Sequence, residues 1–156
     1  MVHDPYNRFR PKGDPWLLRD HYQGGLNIRY FHIYIHEVPG CWVEKLESKK
    51  YHALVFFPSG HLLAKAFDDF DDISEDKFLF NSQVGFFTER NGFILTEQWA
   101  AINLGQTGFS LIEIQESGDL VIISVGNSIR RQIRHQEPQV YSLTARKVLL
   151  DFQPDW

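Results

Sequence analysis

Short apolar segments separated by tight-turn residues recur through residues 50–125, and this spacing constrains the fold more than any other feature. The clearest turn is Asn91-Gly92, because both residues tolerate the positive φ angles that a two-residue hairpin requires. Pro58-Ser59-Gly60 and Ser117-Gly118 indicate two further reverse turns. No segment is predicted to form a helix of three turns. Since consecutive hairpins make antiparallel neighbours, the sequence predicts an all-β protein.

Eight or nine strands are predicted between these turns. The main segments are 26–37, 50–57, 61–67, 84–89, 93–99, 109–115, 120–125 and 141–152. An acidic loop with one helical turn follows Phe67, and a polar connection over 127–138 ends at Pro138. A long meander exposes two edges unless it closes, and closure into a barrel removes them. We therefore predict an antiparallel up-and-down β-barrel of eight to nine strands, with a two-sheet β-sandwich as the alternative.

The 156 residues have the length of one domain. Residues 1–24 contain three prolines and are predicted to be an irregular N-terminal segment, which leaves 25–156 as a single barrel domain. The first residues lack the apolar run of a signal peptide, and no run approaches the ~20 residues of a membrane helix. The chain as given is therefore expected to be soluble and cytoplasmic. It would be periplasmic or exported if a leader had been removed.

Charge and metal-ligating residues narrow the range of partners. A net charge of −4 argues against nucleic acid. Cys41 is the only cysteine, which excludes an intramolecular disulfide and a cysteine-based zinc site. His32 and His36 lie in one predicted strand, where four residues span ~13 Å, too far for one ion. The acidic run 68–76 departs from the calcium-loop pattern. No metal or cofactor is expected.

Hairpin register predicts which side chains share a face of the wall. The Pro58–Gly60 turn groups His52, Leu54, Phe56, Leu62, Ala64 and Ala66. The Asn91-Gly92 turn groups Val84, Phe86, Thr88, Leu95, Glu97 and Trp99. The Ser117-Gly118 turn groups Ile112, Ile114, Val121, Ile123 and Val125. Each set is the more apolar face of its hairpin and is predicted to face the interior.

Five of these residues are candidates for contact with a ligand inside the barrel: His52, Phe56, Phe86, Glu97 and Trp99. A buried carboxylate needs a partner. Glu97 is therefore predicted to anchor a ligand, to pair with His52 or an arginine, or to be hydrated at the barrel mouth. The aromatic side chains either line an apolar pocket or fill the core. No catalytic residue is predicted, because no serine or cysteine lies in a nucleophile motif, and an enzyme is not expected.

Four runs carry a resemblance to a known family. YHALVFFPSGHLLAKAF (51–67) has an aromatic strand, a Pro/Gly turn and a return strand, and VGFFTERNGFILTEQW (84–99) has a Gly-x-aromatic strand before an Asn-Gly hairpin. SLIEIQESGDLVIIS (110–124) and RKVLLDF (146–152) fit a later hairpin and a closing strand. Over about residues 50–152 this pattern resembles small bacterial lipocalin-like proteins, although it lacks the Gly-x-Trp of the larger lipocalin class. The resemblance implies an eight-stranded calycin-type barrel whose interior can hold one small apolar ligand.

Two hypotheses about function follow. The first is a non-enzymatic, lipocalin-like binding protein for a small apolar ligand held in the barrel. The alternative is a structural or protein-interaction domain with a filled barrel and no ligand. It is motivated by the segment 26–37, which carries apolar side chains on both faces. Its outer side would then be covered by the N-terminal segment or by a second copy in a homodimer.

Overall fold

Two strand systems make up the computed structural model, which describes residues 2–3, 8–10, 16–38, 50–79, 81–100, 106–129, 133–148, 154 and 156. A small sheet pairs β1 (Val2–His3) with β2 (Phe9–Arg10). The other system is a closed antiparallel barrel of eight strands. Its strands are β3 (His32–Val38), β4 (Lys50–Phe56), β5 (His61–Phe67), β6 (Gln83–Arg90), β7 (Phe93–Ala100), β8 (Gln106–Ile114), β9 (Leu120–Gly126) and β10 (Ile133–Lys147).

Each barrel strand pairs with the next strand in sequence, and β10 pairs with β3 to complete the ring. The predicted up-and-down barrel is therefore confirmed, and the sandwich alternative is wrong. The acidic loop contains a 3-10 turn at Phe70–Asp72 and the helix α1 (Glu75–Leu79). In the described part of the chain, no helix has the length and apolar character needed to cross a bilayer.

Two predicted strand boundaries are wrong at the closure of the barrel. The first barrel strand begins at His32 rather than residue 26, because Phe31 has a φ of 66° that breaks the extended backbone. The last strand begins at Ile133 and includes Pro138. The ladder to β9 shifts register between Arg134 and Gln139, so the missing amide of Pro138 interrupts no regular pairing. The predicted extension to residue 152 lies mostly outside the described residues.

The hairpin turns set the register in two different ways. Asn91 and Gly92 have φ angles of 53° and 84°, and Arg90 pairs with Phe93, as predicted. At the next hairpin the amide of Gln115 donates to the carbonyl of Asp119. That wider loop pairs Ile114 with Leu120 and moves β9 by one residue from the predicted register. The predicted inward positions of Val121 and Ile123 are therefore wrong.

Apolar side chains pack on both faces of the barrel wall. The inner set comprises Tyr34, Leu54, Phe56, Leu62, Ala64, Phe87, Ile94, Ile112, Leu120, Ile122 and Tyr141. The outer set comprises Ile33, Ile35, Ala53, Val55, Leu63, Phe67, Val84, Phe86 and Leu95. Trp16, Leu18, Phe78, Val148 and Trp156 pack over the outer set. The chain thus covers its own barrel from outside, and we call this layer the outer belt.

One end of the barrel is closed by the segment that precedes β3. Tyr22, Leu26, Ile28 and Tyr30 pack against the inner apolar set. The hydroxyls of Tyr22 and Tyr30 are hydrogen-bonded to each other, and the amide of Phe31 donates to the carbonyl of Phe56 at 3.0 Å. This is the end that carries the turns at 58–60, 91–92 and 115–119. Any space inside the barrel must therefore lie toward the opposite end.

Gly85 lies where two strands of the wall approach unusually closely. A Cβ atom there would be 2.2 Å from the carbonyl oxygen of Glu97 on β7, which is backbone and cannot rotate away. We expect Gly85→Ala to lower the free energy of unfolding by about 1–3 kcal/mol, the usual cost of overpacking. Urea denaturation followed by tryptophan fluorescence measures this change.

Gly108 provides the matched control. It lies on β8, and a Cβ atom there would meet nothing within 4 Å. Gly108→Ala should be neutral or slightly stabilising, because alanine loses less backbone entropy on folding. Equal unfolding free energies for the two variants would contradict the close approach at Gly85.

Candidate functional site

A cavity of about 800 Å³ occupies the half of the barrel away from the closed end. Its wall is built by strands β4 to β10. The inward side chains at the cavity include the short residues Ala64, Ala66, Gly108 and Ser110, whereas Phe56 and Phe87 fill the closed half with rings 4.9 Å apart. A barrel of eight strands is just wide enough for side chains to fill it or for one small ligand. Here side-chain size changes along the axis, so one half is filled and the other is hollow.

One side of the cavity carries a histidine and a tyrosine from neighbouring parts of the wall. His52 on β4 and Tyr141 on β10 both line it. His36 on β3 lies between them, with its ring 6.5 Å from that of His52 and 5.2 Å from that of Tyr141. His36 Nδ1 is 2.8 Å from the carbonyl oxygen of Val140, which positions its ring. These three side chains form what we call the His–Tyr wall.

Burial affects the protonation of this wall. Burial is the main cause that lowers the pKa of His52 below its ordinary value of 6.5, and the charges of His36 and Lys50 lower it further. Burial alone raises the pKa of Tyr141 to about 12. At neutral pH the cavity therefore presents a neutral imidazole and a protonated phenol. Both are hydrogen-bonding groups without net charge.

A second polar pair lies on β7 and β8. Thr96 and Ser110 are paired across these strands and are almost completely buried. Their hydroxyls are hydrogen-bonded to each other, and Ser110 lines the cavity. Two hydroxyls carry two protons, and one bond between them uses only one. One O–H donor therefore remains in the wall.

Charged side chains are nearly absent from the cavity lining. Of the described lining residues, Lys65 alone carries a charged side chain. Its Nζ donates to the carbonyl of Lys77 at 2.6 Å and lies 5.2 Å from the ring of Phe67, which belongs to the outer apolar set. The interior offers a mostly apolar surface with a few neutral hydrogen-bonding groups.

The structure separates the five residues predicted to face a ligand. His52 lines the cavity, and Phe56 faces the interior but packs into the closed half beside Tyr34 and Phe87. Phe86, Glu97 and Trp99 lie on the outer face, so their predicted interior positions are wrong. The predicted register of their hairpin is correct, but its inward face is the opposite one, which carries Phe87, Thr96 and Gln98. His52 and Glu97 therefore lie on opposite faces of the wall and form no pair.

Phe86 and Trp99 show why the face was reversed. Phe86 is almost fully buried by the outer belt, with its ring 5.0 Å from Trp16 and 4.7 Å from His61. Trp99 shares this face, and its Nε1 is buried without a hydrogen-bond partner in the described part of the chain. This face of the hairpin is apolar because it is buried, but the residues that bury it belong to the outer belt and not to the barrel interior.

Glu97 has a structural contact that the sequence pattern did not indicate. Only 1% of its surface is exposed. Its carboxylate accepts hydrogen bonds from the amide of Leu17 at 2.9 Å and from the amide of Leu18 at 3.0 Å. Glu97 therefore anchors the segment at residues 16–18 to the outside of β7 and does not reach the cavity.

The cavity residues that the sequence analysis missed include Tyr141, Ser110 and Gln98. Alternation along β7 and β8 would have found Gln98 and Ser110 once the face was known. Tyr141 was not assigned a face, because no turn fixed the register of the last strand. Among the described residues, no three His, Cys, Asp or Glu side chains converge to hold a metal ion.

Comparison with protein-family models, curated proteins and solved structures found no match for this chain. The assignment of function therefore depends on the geometry of the barrel.

Replacement of Glu97 tests its anchoring contact. Glu97→Ala leaves the amides of Leu17 and Leu18, of which the second is buried, without their acceptor, so we expect the free energy of unfolding to fall by about 1–3 kcal/mol. Glu113→Ala removes an exposed carboxylate from the neighbouring strand β8 and should change it by less than about 0.5 kcal/mol. Chemical denaturation measures both values. A Glu97→Ala protein as stable as the wild type would contradict the anchoring role.

The lowered pKa of His52 predicts a pH dependence of stability. Below pH 6.5 the unfolded chain binds a proton at this imidazole more readily than the folded chain, so folding stability falls as the pH drops through 6.5. Well above pH 6.5 His52 is neutral in both the folded and the unfolded chain, so it adds no pH dependence to the folding stability. We expect His52→Gln to lose less stability than the wild type between pH 7 and pH 5, as measured by urea titrations at each pH. Parallel curves for the two proteins would contradict this assignment.

Proposed function

We propose that this protein binds a small, largely apolar molecule inside its barrel. The observation that carries the proposal is the cavity of about 800 Å³ in an otherwise filled barrel. A barrel of eight strands can be filled by its own side chains, and here they leave one half open. A space of this size falls within the range of small-molecule sites.

The chemistry of the lining supports the same proposal. Leu54, Ile122 and Val125 give the wall apolar surface, and neutral groups such as Ser110 and Gln98 are interspersed. Small-molecule sites are typically mainly apolar with a few polar groups that fix orientation. The resemblance to lipocalin-like proteins implies the same use of a barrel interior.

The observation that suggested the alternative, a filled barrel that acts through its outer surface, has another explanation. The alternative was based on apolar side chains on both faces of the segment before and within β3. Tyr34 faces the interior, whereas Ile33 and Ile35 lie under the outer belt, which the chain itself supplies. Among the described residues, the large apolar side chains left exposed are Leu17, Phe70, Ile133 and Val140.

Filling the cavity tests the proposal. Ala64→Phe adds a ring to a buried position on the cavity wall and should abolish the binding of N-phenyl-1-naphthylamine, an uncharged dye whose fluorescence rises in apolar sites. Ala145→Phe adds the same atoms at an exposed position of β10 and should leave dye binding unchanged. Fluorescence titration gives the affinity, and circular dichroism verifies that each variant is folded.

Two outcomes would overturn the proposal. One is a wild-type protein that does not raise the fluorescence of the dye at any concentration tested. The other is binding that Ala64→Phe and the wild type share equally, since the dye would then occupy a site outside the barrel.

A further inference from the structure

The geometry points to a specific class of ligand: an uncharged molecule with an apolar body and a hydrogen-bond acceptor, such as an ester, ketone or alcohol oxygen, that contacts the hydroxyl of Tyr141. This inference rests on the proposed function and goes beyond it, because it selects neutral molecules over fatty-acid anions of the same length. It depends on which polar atoms of the cavity are already satisfied by the protein.

The hydroxyl of Tyr141 is the main polar group of the cavity that the protein leaves available to a ligand. The side chain is 5% exposed and lines the cavity. Among the described residues its hydroxyl has no hydrogen-bond partner, although it lies within a ring contact of His36. The hydroxyl is not one of the atoms that are sealed from solvent without a partner, so it opens onto the cavity and is available to donate there. An acceptor atom on a bound molecule would satisfy this donor.

The Thr96–Ser110 pair provides a second hydroxyl at the cavity. Its mutual hydrogen bond leaves one hydroxyl proton unused, and this proton is on Ser110, a lining residue, when Thr96 is the donor of the pair. Ser110 and Tyr141 lie on β8 and β10, the two strands that flank β9. A molecule in the cavity can therefore be held by acceptors at one or both positions.

Among the described lining residues Lys65 alone is charged, so the described lining offers little to hold a carboxylate. Carboxylate ligands are commonly held by arginine, lysine or protonated histidine. Lys65 is directed to the carbonyl of Lys77, and His52 is neutral because burial lowers its pKa. An anion in this cavity would lose its hydration without an opposite charge, which is costly. A neutral molecule of the same size incurs no such cost.

Three compounds of equal chain length test the inference. Methyl dodecanoate, dodecan-1-ol and dodecanoate are titrated at pH 8 against the wild-type protein with N-phenyl-1-naphthylamine bound. We expect the ester and the alcohol to displace the dye at concentrations at least tenfold lower than dodecanoate. Because this comparison uses the unmodified protein, it does not depend on the folding of any variant.

A pair of tyrosine variants locates the contact. Tyr141→Phe removes only the hydroxyl. It should lower the affinity for methyl dodecanoate by about threefold to tenfold, which corresponds to the loss of one hydrogen bond. Its affinity for the dye, which has no carbonyl or hydroxyl oxygen, should be unchanged. Tyr51→Phe removes a hydroxyl from the outer apolar layer and should leave both affinities unchanged.

The results distinguish this inference from the proposed function. If the dye binds in the cavity but dodecanoate competes as well as the ester, or Tyr141→Phe has no effect, the ligand class is wrong and the binding function stands. If the dye fails to bind the wild type, or Ala64→Phe does not exclude it, both are wrong.

Discussion

The barrel wall depends on the burial of apolar side chains on both of its faces. Alternation along a strand sends neighbouring residues to opposite sides, and in the strands from β3 to β7 both sets are largely apolar. An inner core alone would leave the outer set in water. The outer belt supplies its cover, and the carboxylate of Glu97 fixes part of that belt through the amides of Leu17 and Leu18. The barrel and the segments around it therefore form one hydrophobic unit with the sheet in the middle.

The fold class could be predicted because its signals are local. Turn residues such as Asn91-Gly92 determine where the chain reverses, and the pairing of Arg90 with Phe93 follows from the turn type. The choice of inward face was less secure, because it assumed that only one face is buried. On the hairpin of β6 and β7 that assumption failed. Phe86 and Glu97 are buried by residues that lie 70 or more positions away in sequence, and no local pattern reports such a contact.

The candidate site was predicted only in part, for a related reason. His52 was found because the Pro58–Gly60 turn fixes the register of its hairpin. Tyr141 belongs to a strand whose pairing shifts register between Arg134 and Gln139, so alternation could not be counted from a turn. The cavity itself arises from the small size of residues such as Ala64 and Ala66 on β5 and Gly108 and Ser110 on β8. Each of these residues is unremarkable in its own segment, and only the closed barrel brings them around one space.

The pairing of β10 with β3 has a consequence for the synthesis of the chain. Ser142 pairs with Ile35, and the hydroxyl of Thr144 donates to the carbonyl of Ile33, a contact between residues 111 positions apart. A ribosome that has released residues 1–126 has already produced seven of the eight barrel strands, yet the ring is open and β3 has one unpaired edge. Unpaired edges promote association between nascent or partly folded chains. The arrival of the last strand therefore ends the period in which this chain is most exposed to aggregation.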